Sequence, residues 1–238
     1  MGLSSLQAIL FSLLVVGMAG GVLSGLHGAL MRAGRPDAGR TTLLAGAALA
    51  GWLGLTGVLA GSGVLLQEGF PPRPFLVVLP ALVTAVVLAR SKGVGRLLPH
   101  VPLWQPVAAQ AFRIPVEGML FWLCVSGFVP RQMTFEGMNF DVVSGVLALP
   151  VAWMLARGRG GRGLGVAYNV LGLVLLATIV TISILAAPGP QQRFTDGPPN
   201  LLPATFPMVW LPVFLVPLAL FLHLISLRQL RGAPRPAA

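Results

Sequence analysis

Apolar residues dominate seven long stretches of the chain, and shorter polar stretches separate them. A transmembrane helix needs about 20 mostly apolar residues to cross roughly 30 Å of hydrocarbon, and each stretch comes near that length. The pattern predicts an all-α integral membrane bundle of about seven transmembrane helices, forming one domain over residues 1–238. The predicted helices cover residues 5–30, 41–66, 74–90, 104–129, 141–156, 164–187 and 205–228.

Basic residues concentrate in alternate connections. The first, third and fifth connections and the C-terminal tail each carry three of them, whereas the other connections mix single arginines with acids. The basic sets are Arg32, Arg35 and Arg40; Arg90, Lys92 and Arg96; Arg157, Arg159 and Arg162; and Arg228, Arg231 and Arg235. Because an excess of Lys and Arg marks cytoplasmic loops, the N-terminus is predicted outside and the C-terminus in the cytoplasm.

Composition supports the membrane assignment. Hydrophobic residues make up 55% of the 238 positions and charged residues only 9%, whereas soluble domains carry about 25% charged residues. The formal net charge of +10 is typical of cytoplasmic membrane loops here, because the basic residues lie between apolar runs. The predicted partner is therefore the lipid bilayer, not a nucleic acid.

Small residues at four-residue spacing occur in the first two predicted helices. Gly17, Gly21 and Gly25 form one such row, and Gly57 and Gly61 form another. Such rows let helix backbones approach closely in lipid. We expect both rows to pack against other helices of the same chain; a dimer interface is the alternative.

Arg113 and Glu117 lie near the middle of the fourth predicted helix. Their four-residue spacing puts them on one helix face together with Gln110. On insertion scales each charged residue at this depth costs roughly 2.5–3.5 kcal/mol. Such residues usually face the bundle interior or a water cavity. Arg113 has three candidate partners: the carbonyl of Ala111, Glu117 or an anionic ligand. A purely structural ion pair is the alternative to a ligand site.

The last predicted helix is interrupted by prolines. Pro212 and Pro217 flank Phe214 and follow Trp210. A proline inside a helix leaves the carbonyl four residues earlier without its donor, so Pro217 frees the carbonyl of Val213. Broken helices line substrate sites in transporters, which makes Trp210 a candidate ligand contact. A static kink accommodated by packing is the alternative.

The predicted outer connection Met133–Asp141 is rich in potential ligands. Glu136, Asn139 and Asp141 offer oxygen atoms within a short stretch, so Asn139 is a candidate ligand-binding residue and Glu136 and Asp141 are candidate metal ligands. Asp141 also stands where a helix begins, and an N-cap role explains a carboxylate there without a metal. The cap-and-loop interpretation is favoured.

His27 and His223 lie near the cytoplasmic ends of the first and seventh predicted helices. If these terminal helices were neighbours, the two imidazoles could bind a haem iron or another metal from opposite sides. The alternative is that each histidine faces head groups or a backbone carbonyl. The sequence leaves the cofactor unknown.

Five stretches resemble an uncharacterised family of bacterial multi-span membrane proteins. They are FRIPVE at 112–117, MTFEGMNFD at 133–141, APGPQQRF at 187–194, FPMVWLPVF at 206–214 and FLHLISLRQL at 221–230. The resemblance implies a multi-pass protein of the bacterial cytoplasmic (inner) membrane. It implies no chemistry.

Three functions therefore compete. The leading hypothesis is binding or transport of a small molecule at a polar site near mid-membrane, formed by Arg113 and Glu117 beside the broken last helix. The second is a membrane-embedded enzyme acting on a lipid or isoprenoid. The third is a haem- or metal-binding, or assembly, subunit of a membrane complex. The sequence leaves the ligand and the oligomeric state open.

Overall fold

Residues 3–67 and 72–232 are described by a computed structural model of the protein. All of the regular structure in these residues is helical, as the apolar pattern predicts. The α-helices are α1 (Ser5–Arg32), α2 (Ala38–Gly61), α3 (Phe75–Arg90), α4 (Lys92–Leu97), α5 (Trp104–Ala109), α6 (Arg113–Val125), α7 (Asp141–Ala156), α8 (Gly161–Ala186) and α9 (Val216–Gly232).

Several of these helices have the length and composition needed to cross a membrane. Within the described residues four do so: α1, α2, α8 and the continuous helix Leu211–Gly232, which joins a π-helical start to α9. A fifth crossing is possible where Phe75–Arg90 and Lys92–His100 meet at a bend of 47°. An all-helical membrane protein is thus confirmed, with four or five candidate spans by this criterion.

Two predicted spans take a different form. The predicted helix 104–129 is divided into α5, a 3₁₀ turn over Gln110–Phe112, and α6. Pro115 lies in the first turn of α6 and cannot donate to the carbonyl of Ala111, so the chain tightens just before it. The predicted helix 41–66 ends at Gly61, because Gly63 adopts φ +75°, a left-handed conformation that terminates helices.

The last helix is the centre of the bundle. It packs against α3, α5 and α8, and more than half of its apolar span is buried. By contrast α1 and α2 pair with each other at the periphery, and their outer faces carry exposed apolar side chains such as Leu13, Val16 and Leu43. Helices that are apolar on every side are suited to a hydrocarbon surrounding.

The glycine rows behave differently from one another. A Cβ atom added to Gly17, Gly21 or Gly25 would meet nothing within 4 Å, whereas at Gly57 it would lie 3.4 Å from Phe206 and Trp210 side chains. The row in α1 therefore packs against no other described part of the chain, and that expectation was wrong. In α2 the expectation holds for Gly57, where an aromatic neighbour approaches the backbone.

The bundle has two chemically distinct ends. At the basic end Arg228 donates to the carbonyls of Ala89 and Ser91 at 2.8 Å, and Arg32 donates to the carbonyl of His100 at 2.6 Å. These contacts join the ends of α1, α3 and α9. The first and third basic connections and the basic end of the last helix thus lie together in space.

At the opposite end, here called the acidic end, Gln7 of α1 donates to Ser126 at 3.1 Å, and Gln132 donates to Asp196 at 2.9 Å. The connections that carry Glu136 and Asp196 therefore meet near the start of α1.

Candidate functional site

Polar side chains are concentrated inside the bundle where α5, α6, α7, α8 and α9 meet. The set named here the polar core consists of Gln110, Arg113, Glu117, Asn139, Asp141, Ser144, Asn169, His223 and Ser226. All are buried except Asp141, whose side chain is 13% exposed. Burying this many polar groups requires that they satisfy one another.

Arg113 is held by α7 and α8. Its Nη1 lies 3.1 Å from Asp141 Oδ1, donates to Ser144 Oγ at 2.7 Å, and contacts the carbonyl oxygen of Gly172 at 3.4 Å. Of the three partners considered from the sequence, neither the carbonyl of Ala111 nor Glu117 pairs with Arg113 in the described residues, and an anionic ligand stays a prediction. The ion pair is instead formed across two helices, with a residue at the start of α7.

Close approach of α6 and α7 makes this pair possible. A Cβ atom at Gly145 of α7 would lie 3.0 Å from the Ile114 side chain and 3.2 Å from Arg113 Cβ. Only a residue without a side chain leaves room for the two helices at this separation.

Asn139 joins Glu117 to the connection before α7. Its Nδ2 donates to Glu117 Oε2 at 2.5 Å and to the carbonyl of Met133 at 3.1 Å, while its Oδ1 accepts from the Asp141 N–H at 3.1 Å. Asp141 stands in the first turn of α7, as predicted, but its N-cap role was wrong, because Phe140 occupies the cap position without a side-chain cap and the Asp141 carboxylate turns to Arg113. Asn139 satisfies the first N–H instead.

His223 anchors the part of the polar core nearer the basic end. Its Nδ1 lies 2.9 Å from Asn169 Oδ1, and Asn169 Nδ2 donates to Ser226 Oγ at 2.9 Å and to the carbonyl of Gly165 at 2.7 Å. Because the Asn169 amide nitrogen is engaged in donating, its oxygen is the acceptor and His223 Nδ1 carries the proton. Nε2 of the neutral ring is then an acceptor.

Gly172 is the point where the two halves of the polar core meet. Its carbonyl accepts from Arg113, and a Cβ atom at this position would overlap the His223 imidazole and lie 3.0 Å from Ser144 Oγ. The arrangement therefore depends on a glycine in the middle of α8, where glycine costs helix stability relative to alanine.

Several polar atoms of the site have no hydrogen-bond partner in the described part of the chain. They are Arg113 Nε and Nη2, Glu117 Oε1, Gln110 Oε1, His223 Nε2 and Asp141 Oδ1, the last of which faces Arg113 Nη1 as an ion pair without hydrogen-bond geometry. A buried polar atom without a partner costs about 1–3 kcal/mol, so such a concentration is unusual for a purely structural core. These atoms offer donors on Arg113 and acceptors on Glu117 and His223.

The other predicted ligand contacts lie partly elsewhere. Gln110 belongs to the polar core and donates to the carbonyl of Ala219 at 3.0 Å. Trp210 instead joins the last helix to α2: its indole N–H donates to Leu53 O at 2.9 Å, and Trp52 donates to Val213 O at 3.1 Å. The carbonyl that Pro217 frees is thus satisfied by a tryptophan.

The predicted metal ligands are not brought together. Glu136 is exposed, 3.9 Å from Arg131, whereas Asp141 points inward. His27 is exposed and contacts Thr42 at 3.3 Å, whereas His223 is fully buried against α8. Within residues 3–67 and 72–232 no group of three or more metal-ligating side chains is found.

Ser144, Asn169, Gly172 and Ser226 were missed by the sequence reasoning. Ser144 and Asn169 each interrupt an apolar run, and that signal could have identified them. Nothing in the sequence distinguishes Gly172 from the other glycines of the helices.

Comparison with known proteins gives a family without an assigned activity. No curated protein and no solved structure matches the chain. A family described as a domain of unknown function (DUF8737) matches residues 74–231, a range that contains the whole polar core and leaves out α1 and α2. Because that match covers well over half of the chain, the protein belongs to this family.

Proposed function

We propose that this protein binds a small polar solute in the polar core and moves it across the membrane. The observation that carries the proposal is the set of unpaired atoms around Arg113. Its Nε and Nη2 have no acceptor among the described residues, and Glu117 Oε1 has no donor there. Arg113 and Glu117 are one helical turn apart, about 5–6 Å between Cβ atoms, so one small molecule can reach both.

The charges of the site define the kind of solute. Arg113 already has a counter-ion in Asp141, whereas Glu117 accepts from the neutral amide of Asn139 and takes part in none of the ion pairs among the described residues. A solute suited to this site carries an acceptor group for the free N–H groups of Arg113 and a donor or positive group for Glu117. Small zwitterions and polyhydroxylated molecules meet both requirements.

The polar core also extends along the direction in which a solute would travel. Glu117 is eight residues from the acidic-end terminus of α6, and Asn169 is eight residues from the basic-end terminus of α8, which is about 12 Å in each case. The polar residues between them bridge the middle of the bundle. The π-helical start of the last helix supports a gating role, because such segments occur at functional sites.

Access from water tests this proposal. In a Cys124→Ser background, Ser144→Cys in the full-length protein is expected to react with a membrane-impermeant cationic thiol reagent in sealed vesicles. Ala148→Cys, fully buried one turn further along α7, is the matched control and is expected to stay unreactive. Reaction is measured by mass spectrometry of the intact protein.

Native mass spectrometry of gently solubilised protein complements the labelling. We expect a bound small molecule in the wild type that Glu117→Gln loses. If the wild type carries no such molecule and Ser144→Cys reacts no faster than Ala148→Cys, the proposal is rejected.

The proposal includes a topology of seven crossings in a bacterial cytoplasmic membrane, with the N-terminus outside and the C-terminus in the cytoplasm. It is supported by the grouping of basic connections at one end, because such loops remain on the cytoplasmic side. A fluorescent protein that folds only in the cytoplasm, fused after residue 232, is expected to fluoresce. The same fusion before Ser4 is expected to be dark, and the opposite result would contradict the orientation.

The two alternative functions have less support. An enzyme using Glu136 with Asp141 would need both carboxylates at one site, and they face different surroundings. A haem held by His27 and His223 would need the imidazoles to meet, and His223 is engaged with Asn169.

A further inference from the structure

A second, apolar site lies between α3 and α8 near the acidic end. It is a groove of about 500 Å³, within the range of roughly 300–1,000 Å³ typical of small-molecule sites. Leu79 and Leu82 of α3 form one wall, and Val180 and Ile184 of α8 form the other. It is separate from the polar core.

The packing of the last helix explains the groove. Both α3 and α8 pack against this helix, and Leu211, Pro212 and Val216 at its start form the floor between them. Residues Leu211–Leu215 are π-helical and Pro212 lies in the first turn. A proline ring and a widened turn leave space that a regular helix with long side chains would fill.

The groove opens sideways. Leu79 is 52% exposed and Ile184 is 36% exposed, so the edges of both walls face the surroundings of the bundle. For a membrane protein these surroundings are hydrocarbon, and a lipid chain can enter without passing through water.

One end of the groove is polar and basic. Arg73, at the start of α3, lines it together with Gln67 and Gln191. Among described residues Arg73 donates to neutral oxygens, the carbonyl of Val64 at 3.4 Å and the side chain of Gln67, and it takes part in none of their ion pairs. A guanidinium whose described partners are all neutral is suited to an anionic group at the mouth of the groove.

We propose that the groove binds one hydrocarbon chain of an anionic membrane lipid, whose head group contacts Arg73. The apolar walls bury the hydrocarbon chain of the lipid, and Arg73 favours a negatively charged head group. This differs from the lipid that coats any membrane protein, because a concave site with two walls and a floor holds one chain in a defined position and distinguishes head groups.

Binding of two lysolipids with the same chain tests the proposal. Full-length protein in mild detergent is titrated with palmitoyl lysophosphatidylglycerol and with palmitoyl lysophosphatidylcholine, and bound lipid is measured by native mass spectrometry. The anionic lipid is expected to bind about fivefold more tightly, since a basic residue near an anionic head group contributes on the order of 1 kcal/mol.

Two variants with matched controls assign the contacts. Arg73→Gln is expected to abolish the preference, while Arg131→Gln, an exposed arginine of another acidic-end connection, leaves it unchanged. Val180→Trp fills the groove and is expected to weaken both lipids about tenfold by displacing about two buried methylenes. Val174→Trp makes the same change on the same helix at a position that is 58% exposed, and it is expected to have no effect.

Three results would overturn the proposal. The first is equal binding of the two lipids by the wild type. The second is a preference that survives Arg73→Gln. The third is an equal effect of Val180→Trp and Val174→Trp, which would indicate ordinary coating lipid.

Discussion

Asp141→Ala is expected to destabilise the protein strongly, by about 3–5 kcal/mol, because removing one member of a buried ion pair leaves the other charge without compensation. Asp141 Oδ1 lies 3.1 Å from Arg113 Nη1, and the arginine is only 2% exposed. The remaining partners of Arg113, Ser144 and the carbonyl of Gly172, are neutral. The measurement is the midpoint of unfolding in detergent, followed by denaturant or temperature.

Glu136→Ala is the matched control. Glu136 is an exposed acid from the connection just before α7 and is 3.9 Å from an exposed arginine. Exposed pairs contribute about 0–1 kcal/mol, so the midpoint should hardly move. If Glu136→Ala and Asp141→Ala shift it equally, the buried ion pair is not what holds α6 against α7.

The double variant Arg113→Met with Asp141→Leu separates stability from function. Apolar replacement of a whole buried ion pair is often neutral or stabilising by about 1–4 kcal/mol. We therefore expect the double variant to recover most of the stability that Asp141→Ala loses. It should still lack the bound solute, because the free N–H groups of Arg113 are gone. A double variant that retains the solute would contradict the proposed site.

Gly172→Ala is expected to cost about 1–3 kcal/mol or more, the usual penalty of overpacking a filled interior. The added methyl group would overlap the His223 imidazole and crowd Ser144 Oγ. Either α8 moves away from α9 or the histidine leaves Asn169, and both break the polar core. Thermal unfolding in detergent measures the loss, and bound solute measured by native mass spectrometry should fall with it.

Gly21→Ala is the control, since it makes the same change at a helical glycine where an added Cβ meets nothing within 4 Å. Alanine is favoured over glycine in helices by about 0.5–1 kcal/mol, so this variant should equal or exceed the wild type in stability. Loss of stability in Gly21→Ala comparable to that in Gly172→Ala would show that glycine flexibility, and not contact with His223, is the important property.

The role of the polar core and that of the groove are independent. The first depends on Arg113 and Glu117, which lie inside the bundle, and the second on Arg73 and Val180, which line its side. A protein that retains specific lipid but binds no polar solute would support the lipid groove and contradict the proposed transport function. A protein that retains the polar solute but binds no specific lipid would support the transport proposal. It would then show that α3 and α8 are coated by ordinary lipid.

The class of the protein and the location of its charges follow from the sequence alone. In a bilayer, a helix satisfies the backbone N–H and C=O groups of an apolar stretch of spanning length. The structure confirms a helical protein with four or five candidate membrane spans. The alternation of basic connections also predicted which loops share an end. Arg113 and Glu117 were identified because charged groups in apolar surroundings are costly, and Asn139 and Asp141 because the connection before the next helix is rich in oxygen ligands.

The pairing of those residues was decided only by the tertiary structure. Arg113 meets Asp141, which is 28 positions away, and His223 meets Asn169, 54 positions away. In a soluble bundle an apolar stripe indicates which face of each helix turns inward. Here the spanning helices are apolar on most faces, so lipid and neighbouring helices are nearly equivalent surroundings. Their rotation is then decided by close packing at small residues such as Gly145 and Gly172 and by interhelical hydrogen bonds, which depend on where the helices meet.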